Sequence, residues 1–390
     1  MKALIIGAGI GGLCTALCLQ KSGHKVQLFE KSEKLSDIGA GIQLGANALK
    51  VINYLGLLPN LVAKSVIPDR VDFRAFDSGK TLLSRQLGAD YLSKYSAPYL
   101  HIHRADLIDV LLGALNENTE LILNAHVSSC ADNFNDVLVE LMDGRSFSGD
   151  CLIAADGIRS ITKKTMFESE EPQFSGNVAW RGLVSANCLP DGFMDKVVTN
   201  FVGPSKHMVI YYLREQSLVN FVGVVENDSY HEDSWTARSS WQALKQDFDG
   251  WHPTVQTLIN KMDQGQCYRW ALYDQKPLKS WSMSRMTLLG DAAHAMLPFL
   301  ASGAAMAIED ARIIQRSLDK FEDVSEAFRC YQQNRIKRTS KVQAMSRQVS
   351  RLYHIHNPVL LNLAFKAVNW KSAQTEAFLG SYDANTVRLH

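Results

Sequence analysis

The sequence lacks a cysteine framework. Its seven cysteines (Cys14, Cys18, Cys130, Cys151, Cys188, Cys267 and Cys330) are scattered, odd in number, and never spaced as C-x-x-C. That excludes a disulfide scaffold and suits reduced thiols, with Cys14 and Cys18 as small core residues of a first helix. Charge of one sign is also lacking. Lys plus Arg number 41 against 40 acids, a net charge of +1, so no global field draws nucleic acid or a membrane surface. Internal repeats and low-complexity tracts are absent. No long uninterrupted hydrophobic run exists. The nearest, residues 288–307, contains Gly290, Asp291, His294, Pro298 and Gly303, which a membrane helix carries poorly. Met1 leads straight into an apolar strand with no secretory leader pattern, so a cytoplasmic location is expected. No metal-ligating pattern stands out. What is present is ordinary for a soluble globular protein: 46% hydrophobic and 21% charged residues. At 390 residues the chain exceeds one compact core, so one large or two interleaved domains are expected.

The chain is organised around residues 1–30. Residues 2–6, KALII, have the length and branching of a buried parallel strand. Gly7, Gly9 and Gly12 then fit G-x-G-x-x-G, with Gly11 as an extra glycine, and residues 13–21 read as a helix. A second strand at 26–29 ends on Glu30. A strand entering a helix through a tight turn aims backbone N–H groups and the helix dipole at one spot, where a pyrophosphate can sit. Glycines permit the turn and the close approach. An acid about 20 residues on can accept hydrogen bonds from an adenosine ribose. The order predicts dinucleotide binding, with an unphosphorylated ribose at Glu30, but does not separate NAD from FAD.

The rest of the chain alternates in character. The glycine-dense loop 39–47 holds Gly41 and Gln43, and Asn47 or a neighbour is placed to cap a helix from about 48 to 55. A hairpin is expected at 71–84. Arg104 starts a helix, where the dipole favours anions, so an anion held beside it is expected. Short strands follow to residue 147. The strand 151–155 runs into Asp156-Gly157, a second acid and glycine at the carboxyl end of a parallel sheet. From 177 to 225 the pattern becomes alternating and β-branched, an antiparallel sheet with one packed face. A polar loop is read at 228–235, and helices at 241–248 and 254–261. Buried strand 286–289 precedes Gly290-Asp291, and a long helix runs 304–320. A last helix is expected from 326 to about 355. Its run 335–351 has Lys337, Arg338, Lys341 and Arg347 and no acid. A solvated face is the plain reading of that run, and a membrane-surface helix the sharper one.

Three stretches together resemble the single-component FAD-dependent aromatic hydroxylases, most of all the salicylate hydroxylase-like branch. They are residues 7–30, the run ADGIRS at 155–160, and LGDAAH at 289–294 continuing to AIEDA at 307–311. The loop 39–47, AWRGLV at 179–184 and RWALYD at 269–274 are similar too. The likeness is looser beyond about residue 320.

The resemblance implies an α/β fold, with a Rossmann-like FAD/NAD(P)-binding domain interleaved with an antiparallel-sheet (α+β) substrate domain and a C-terminal helical segment. Residues 1–72, 99–170 and 276–320 would bind FAD, 73–98 and 171–275 the substrate, and 321–390 would be helical. Glu30 with Lys31 would hold the adenosine ribose, Val127 would lie near adenine, and Arg104 would meet the pyrophosphate. Asp156 would serve FAD and the nicotinamide donor. Asp291 would bind the ribityl or pyrophosphate part, and Gly303 and Ala304 would face the flavin ring. The resemblance also implies the chemistry. NADH or NADPH reduces FAD, O2 adds as a C4a-hydroperoxide, and a hydroxyl passes to a small phenolic or heteroaromatic acid. His207 and Tyr211 match a His/Tyr pair of the hydroxybenzoate and hydroxynicotinate enzymes and, four apart on a strand, would share a face. Two positions depart from the pattern. Gln43 replaces a histidine of some relatives and cannot act as a base. Ser302 replaces a Gln or His, which leaves room for a bulkier ring or loses a contact to the substrate hydroxyl. The alternatives are a larger quinone-precursor, polyketide, antibiotic or polyene substrate, with peripheral membrane contact through the basic helix, or a non-enzymatic flavin sensor.

Overall fold

The computed structural model describes residues 1–35, 41–167, 171–227 and 239–390. Gly39 and Ala40 of the glycine-dense loop, and the expected polar loop at 228–235, lie outside them. A six-stranded sheet carries the N-terminal motif. Its order is Ser282–Met283, Met286–Leu288, Cys151–Ala154, Lys2–Ile6, Lys25–Phe29, Thr119–Ile122. All neighbours are parallel except the first pair, and Ile5 lies between Ile153 and Leu28. Ala3, Leu4 and Ile5 are fully buried, as a central parallel strand covered on both faces requires.

A seven-stranded sheet forms the second layer system. Its order is Tyr268–Asp274, Gln173–Ser185, Leu218–Glu226, Lys206–Leu213, Val198–Gly203, Arg70–Ala75, Thr81–Gln86. Only the pair Val198–Gly203 and Arg70–Ala75 is parallel. The hairpin expected near 71–84 thus joins the sheet read from 177 onward, although about a hundred residues separate them. On strand Lys206–Leu213, Met208 and Ile210 enter an apolar core with Trp180, Phe221 and Phe248, while the alternate residues face the first sheet's end. The cleft between the two systems holds the site.

Three expectations are corrected. The helix after the glycine loop is Ala46–Tyr54, with Gly45 at its N-cap and no side-chain cap. Asn47 is not a cap. Its amide nitrogen donates to Glu309 Oε1 at 2.6 Å, because a buried carboxylate needs a donor more than a helix end does. Second, the basic run is not one uniformly solvated face. In helix Val324–Tyr353, Arg335 and Arg338 are buried against Glu309, and Arg347 pairs with Asp274 at 2.6 Å; Lys337 and Lys341 remain exposed. Third, the C-terminal segment holds a further helix, Pro358–Gly380. Asn357 caps it, accepting from the Val359 and Leu360 amides, and proline fits its first turn. No helix among the described residues is long and apolar enough to cross a membrane.

Candidate active site

At the first sheet's carboxyl end, two glycines are dictated by sterics. Gly7 has φ +97°, and a Cβ there would lie 2.4 Å from the Ala155 carbonyl oxygen. A Cβ on Gly12 would lie 1.9 Å from the Gly7 oxygen. Gly11 seats the helix Ile10–Lys21 against Leu289 and Ala307. Gly9 differs, since a Cβ there would meet nothing within 4 Å. That helix has no side-chain cap and no acid in its first turn, so its N–H groups face the cleft unmatched. Glu30 is fixed by the amides of Ala8 and Ser32, each donating at 2.9 Å, with Lys31 beside it at the cleft edge. Val127 lines the same end.

Three ionisable groups extend the cleft. Asp156 Oδ2 accepts from the Ile161 amide at 3.0 Å, while Oδ1 is buried without a hydrogen-bond partner among the described residues. Burial pushes this carboxyl above its usual range, against the pull of Ser160 and the local amides. Arg104 begins helix Arg104–Leu112, capped by His103, and its side chain makes no hydrogen bond among the described residues. Asp291 faces the cleft. Protein packed around it also raises its carboxyl, and the nearby charges of His294 and Arg104 only partly offset this. The helix Gly303–Lys320 points its N-terminus inward with neither a side-chain cap nor an acid in its first turn. Ser302 spends its hydroxyl on the Leu300 carbonyl at 2.8 Å.

His207, Val209 and Tyr211 form the other wall, on one face of their strand. The pair is roughly 13 Å apart along the strand, at about 3.3 Å per residue, and each has its own neighbours. Tyr211 packs on the His101 ring at 4.5 Å and on Gly41, where a Cβ would sit 2.6 Å from its hydroxyl. Gln43 lies beside it and accepts from Tyr99 Oη at 2.6 Å. His207 packs on Phe299 and Tyr353, each at 5.2 Å. Burial lifts the Tyr211 phenol far above its usual value, so it stays a donor, and lowers His207 well below 6.5, so it stays neutral.

All the cofactor and catalytic residues expected from sequence, except Gly12 beneath the turn, line this one cleft of about 1110 Å³. The size, the open face at Gly9, the unmatched helix N-termini, the orphaned Asp156 oxygen and the Arg104 guanidinium near Asp291 fit an extended dinucleotide with phosphates and a flat ring.

A family model described as an FAD binding domain matches residues 1–346. The chain is 33% identical over 356 residues to a 3-amino-4-hydroxybenzoate 2-monooxygenase of Streptomyces platensis, covering 91% of this chain and 89% of that protein. It is 32% identical over 358 residues to a 3-hydroxybenzoate 6-hydroxylase of Klebsiella oxytoca, with the same coverage. The chain belongs to the single-component FAD-dependent aromatic hydroxylases. Its fold overlays Klebsiella pneumoniae HpxO, solved with FAD and uric acid, with TM-score 0.86 at 27% identity over 98% of this chain and 96% of that one. The protein is an FAD-dependent monooxygenase with NAD(P)H as electron donor, and the flavin-sensor alternative is set aside.

In this hydroxylase the sequence reading missed the cleft's far end. Tyr353, Phe365 and Glu376 line it from the C-terminal helices. Phe73 packs on both Tyr353 and Phe365, at 5.5 and 5.3 Å, and makes an aromatic wall. The signal available was Tyr353-His354-Ile355-His356, an aromatic and two histidines at a helix end. Replacing Asp291 with alanine is expected to weaken FAD binding about 10- to 100-fold, since one charged hydrogen bond contributes about 1.5–3 kcal/mol. Flavin retained through gel filtration, with an unchanged flavin titration, would remove Asp291 from the cofactor site.

Proposed function

We propose that the enzyme hydroxylates a small aromatic acid that already carries a ring hydroxyl. The observation that supports this is the cleft wall itself, where a buried neutral histidine and a buried tyrosine donor face one apolar chamber. The two relatives act on hydroxylated benzoates by their names. FAD, when bound, supplies oxygen activation, which no side chain here offers.

The chain's residues do the rest. Gly9, Gly11 and the first helix N-terminus take the pyrophosphate, with Arg104 and Asp291 flanking it. Glu30, Lys31 and Val127 hold the adenosine end. Gly41, Gln43, Gly303 and Ala304 border the flavin ring, with the second helix N-terminus aimed at it. Asp156 orders the loop 156–162 between the cofactor and the path of the nicotinamide donor. His207 Nε2 accepts the substrate hydroxyl proton and makes the ring electron-rich. Tyr211 donates a hydrogen bond at the flavin-proximal end. Phe73, Phe299, Tyr353 and Phe365 exclude water.

The test is oxidation of NADH and NADPH by the purified yellow protein across phenolic, pyridine and quinol compounds, with products weighed by mass spectrometry. A hydroxylated acid that speeds oxidation and gains one oxygen is the expected result. Stimulation only by large quinols or polycyclic rings would overturn the small-acid reading. Tyr211→Phe is expected to keep FAD and slow hydroxylation about fivefold relative to NAD(P)H oxidation, the worth of one neutral hydrogen bond of ~1 kcal/mol. Unchanged coupling would take Tyr211 out of the reaction.

A further inference from the structure

His207 does not end in the cleft. Its Nδ1 lies 2.9 Å from His354 Nε2, and His354 Nδ1 lies 3.0 Å from Glu226 Oε1. His207 and Glu226 come from two paired strands, Lys206–Leu213 and Leu218–Glu226, and His354 from a distant segment, the residue after helix Val324–Tyr353. His207 and His354 are each 3% exposed, whereas the Glu226 side chain is 42% exposed. Beyond it stands His356, with Nε2 4.0 Å from Glu226 Oε2 and 76% exposed. A continuous row of titratable groups therefore crosses the wall from cleft to solvent.

The partners dictate the tautomers. Glu226, as a carboxylate, only accepts, so His354 carries its proton on Nδ1 and offers Nε2 as an acceptor. His207 must then donate from Nδ1, which leaves its Nε2 lone pair for the cleft. Among the described residues, the other titratable groups against this row are Tyr353, beside His207, and His356, beside Glu226. Neither reverses the order.

We propose that His207, His354 and Glu226 form a proton path that carries the substrate hydroxyl proton from the cleft to the surface. The proposal rests on the reading of His207 as the group that meets the hydroxyl. Each transfer is balanced and no electrons move. The substrate O–H bond breaks as the proton joins His207 Nε2. The Nδ1 proton of His207 passes to His354 Nε2, the Nδ1 proton of His354 passes to Glu226, and Glu226 releases one proton to water. When the ring regains aromaticity, its displaced ring hydrogen leaves as a proton and the substrate oxygen takes one back. That return runs the path inward and restores the starting tautomers. His354 and Glu226 are positioning and relay residues, and only His207 touches substrate.

The experiment compares holoenzyme with Glu226→Gln, Glu226→Asp and His354→Gln in hydroxylation of the best compound from the panel. Glu226→Gln is expected to keep FAD content and KM, to lose kcat about tenfold, and to raise the solvent deuterium isotope effect. Added formate, entering at the exposed end, should restore its rate in proportion to concentration while leaving the wild type unmoved. Glu226→Asp should retain most of the rate. A Glu226→Gln enzyme with wild-type kcat and isotope effect, or a loss that formate does not repair, overturns the path. If His354→Gln fails to fold, Glu226→Gln carries the test alone, because its side chain is exposed. Nitrogen-15 spectra of histidine-labelled holoenzyme separate this proposal from the functional reading. Neutral Nδ1–H forms of His207 and His354, with His354 perturbed in Glu226→Gln, support the path even if no panel compound is hydroxylated. A proton resting on His207 Nε2 overturns it even if hydroxylation is found.

Discussion

Arg335→Met is expected to lose about 3–5 kcal/mol of stability, the cost of removing one partner from a buried ion pair and leaving charge uncompensated. Arg335 is fully buried. It donates to Glu309 Oε2 at 2.5 Å and to Asp310 Oδ1 at 2.6 Å, and both acids are themselves inaccessible. Arg338 adds a second contact to Glu309 at 2.7 Å, so Glu309 keeps an arginine in the variant, while Asp310 keeps His294 at 2.5 Å and the Gly290 amide at 3.2 Å. Methionine fills much of the volume, so packing loss is small and the electrostatic term dominates. Burial alone would raise both carboxyls. For Glu309 the charges of Arg335 and Arg338 outweigh it, and for Asp310 those of His294 and Arg335 do, so both are held below their ordinary values. A depressed carboxylate contributes stability that is complete above its unfolded pKa of about 4 and is lost as pH falls through the lower folded value. The gap between wild type and variant should therefore be widest near neutrality and narrow below about pH 4. Urea denaturation at several pH values measures it. A gap that stays constant with pH would assign the loss to packing instead.

The same cluster shows what local sequence can and cannot report. Glu309 and Asp310 are visible in the run AIEDA, and Arg335 and Arg338 in a basic stretch, but nothing local says that they meet. Helical spacing placed the arginines on a helix correctly and left their face open. The answer lay in a second helix, and in Asn47, 262 residues from the acid it serves. The N-terminal motif was legible for the opposite reason. Its strand, turn, helix and acid are constrained by their immediate neighbours, and Gly7 and Gly12 are required by backbone atoms within the same few turns or the adjacent strand. His207 and Tyr211 fall between these cases. Period-two alternation put them on one face. Only the tertiary fold shows that they belong to different neighbourhoods, and that His354 and Glu226 stand behind one of them.

Gly9→Leu should abolish FAD retention while leaving the apoprotein's stability almost unchanged. Most glycines in such turns cannot test a phosphate site, because the protein itself forbids a side chain there. Gly7 needs a left-handed backbone, and a Cβ on Gly12 would collide with the Gly7 carbonyl oxygen, so either variant would disturb the fold first. Gly9 is free of both constraints. Its φ of −71° and ψ of −175° are extended values that any residue adopts, and beyond its chain neighbours no atom of the described residues lies within 4 Å of a Cβ there. The empty direction is the cleft, at the N-cap of Ile10–Lys21, where we propose that the pyrophosphate sits. A leucine side chain would occupy that space and screen the helix N–H groups. The expected cost is at least two charge-assisted hydrogen bonds at about 1.5–3 kcal/mol each, or a weakening of more than about 100-fold in FAD affinity. Thermal melting of the apoprotein and flavin fluorescence titration read the two quantities separately. Loss of both would make Gly9 a structural residue. A leucine variant that still binds FAD with near wild-type affinity would move the phosphates away from this helix, and the assignments of Glu30 and Arg104 would have to move with them.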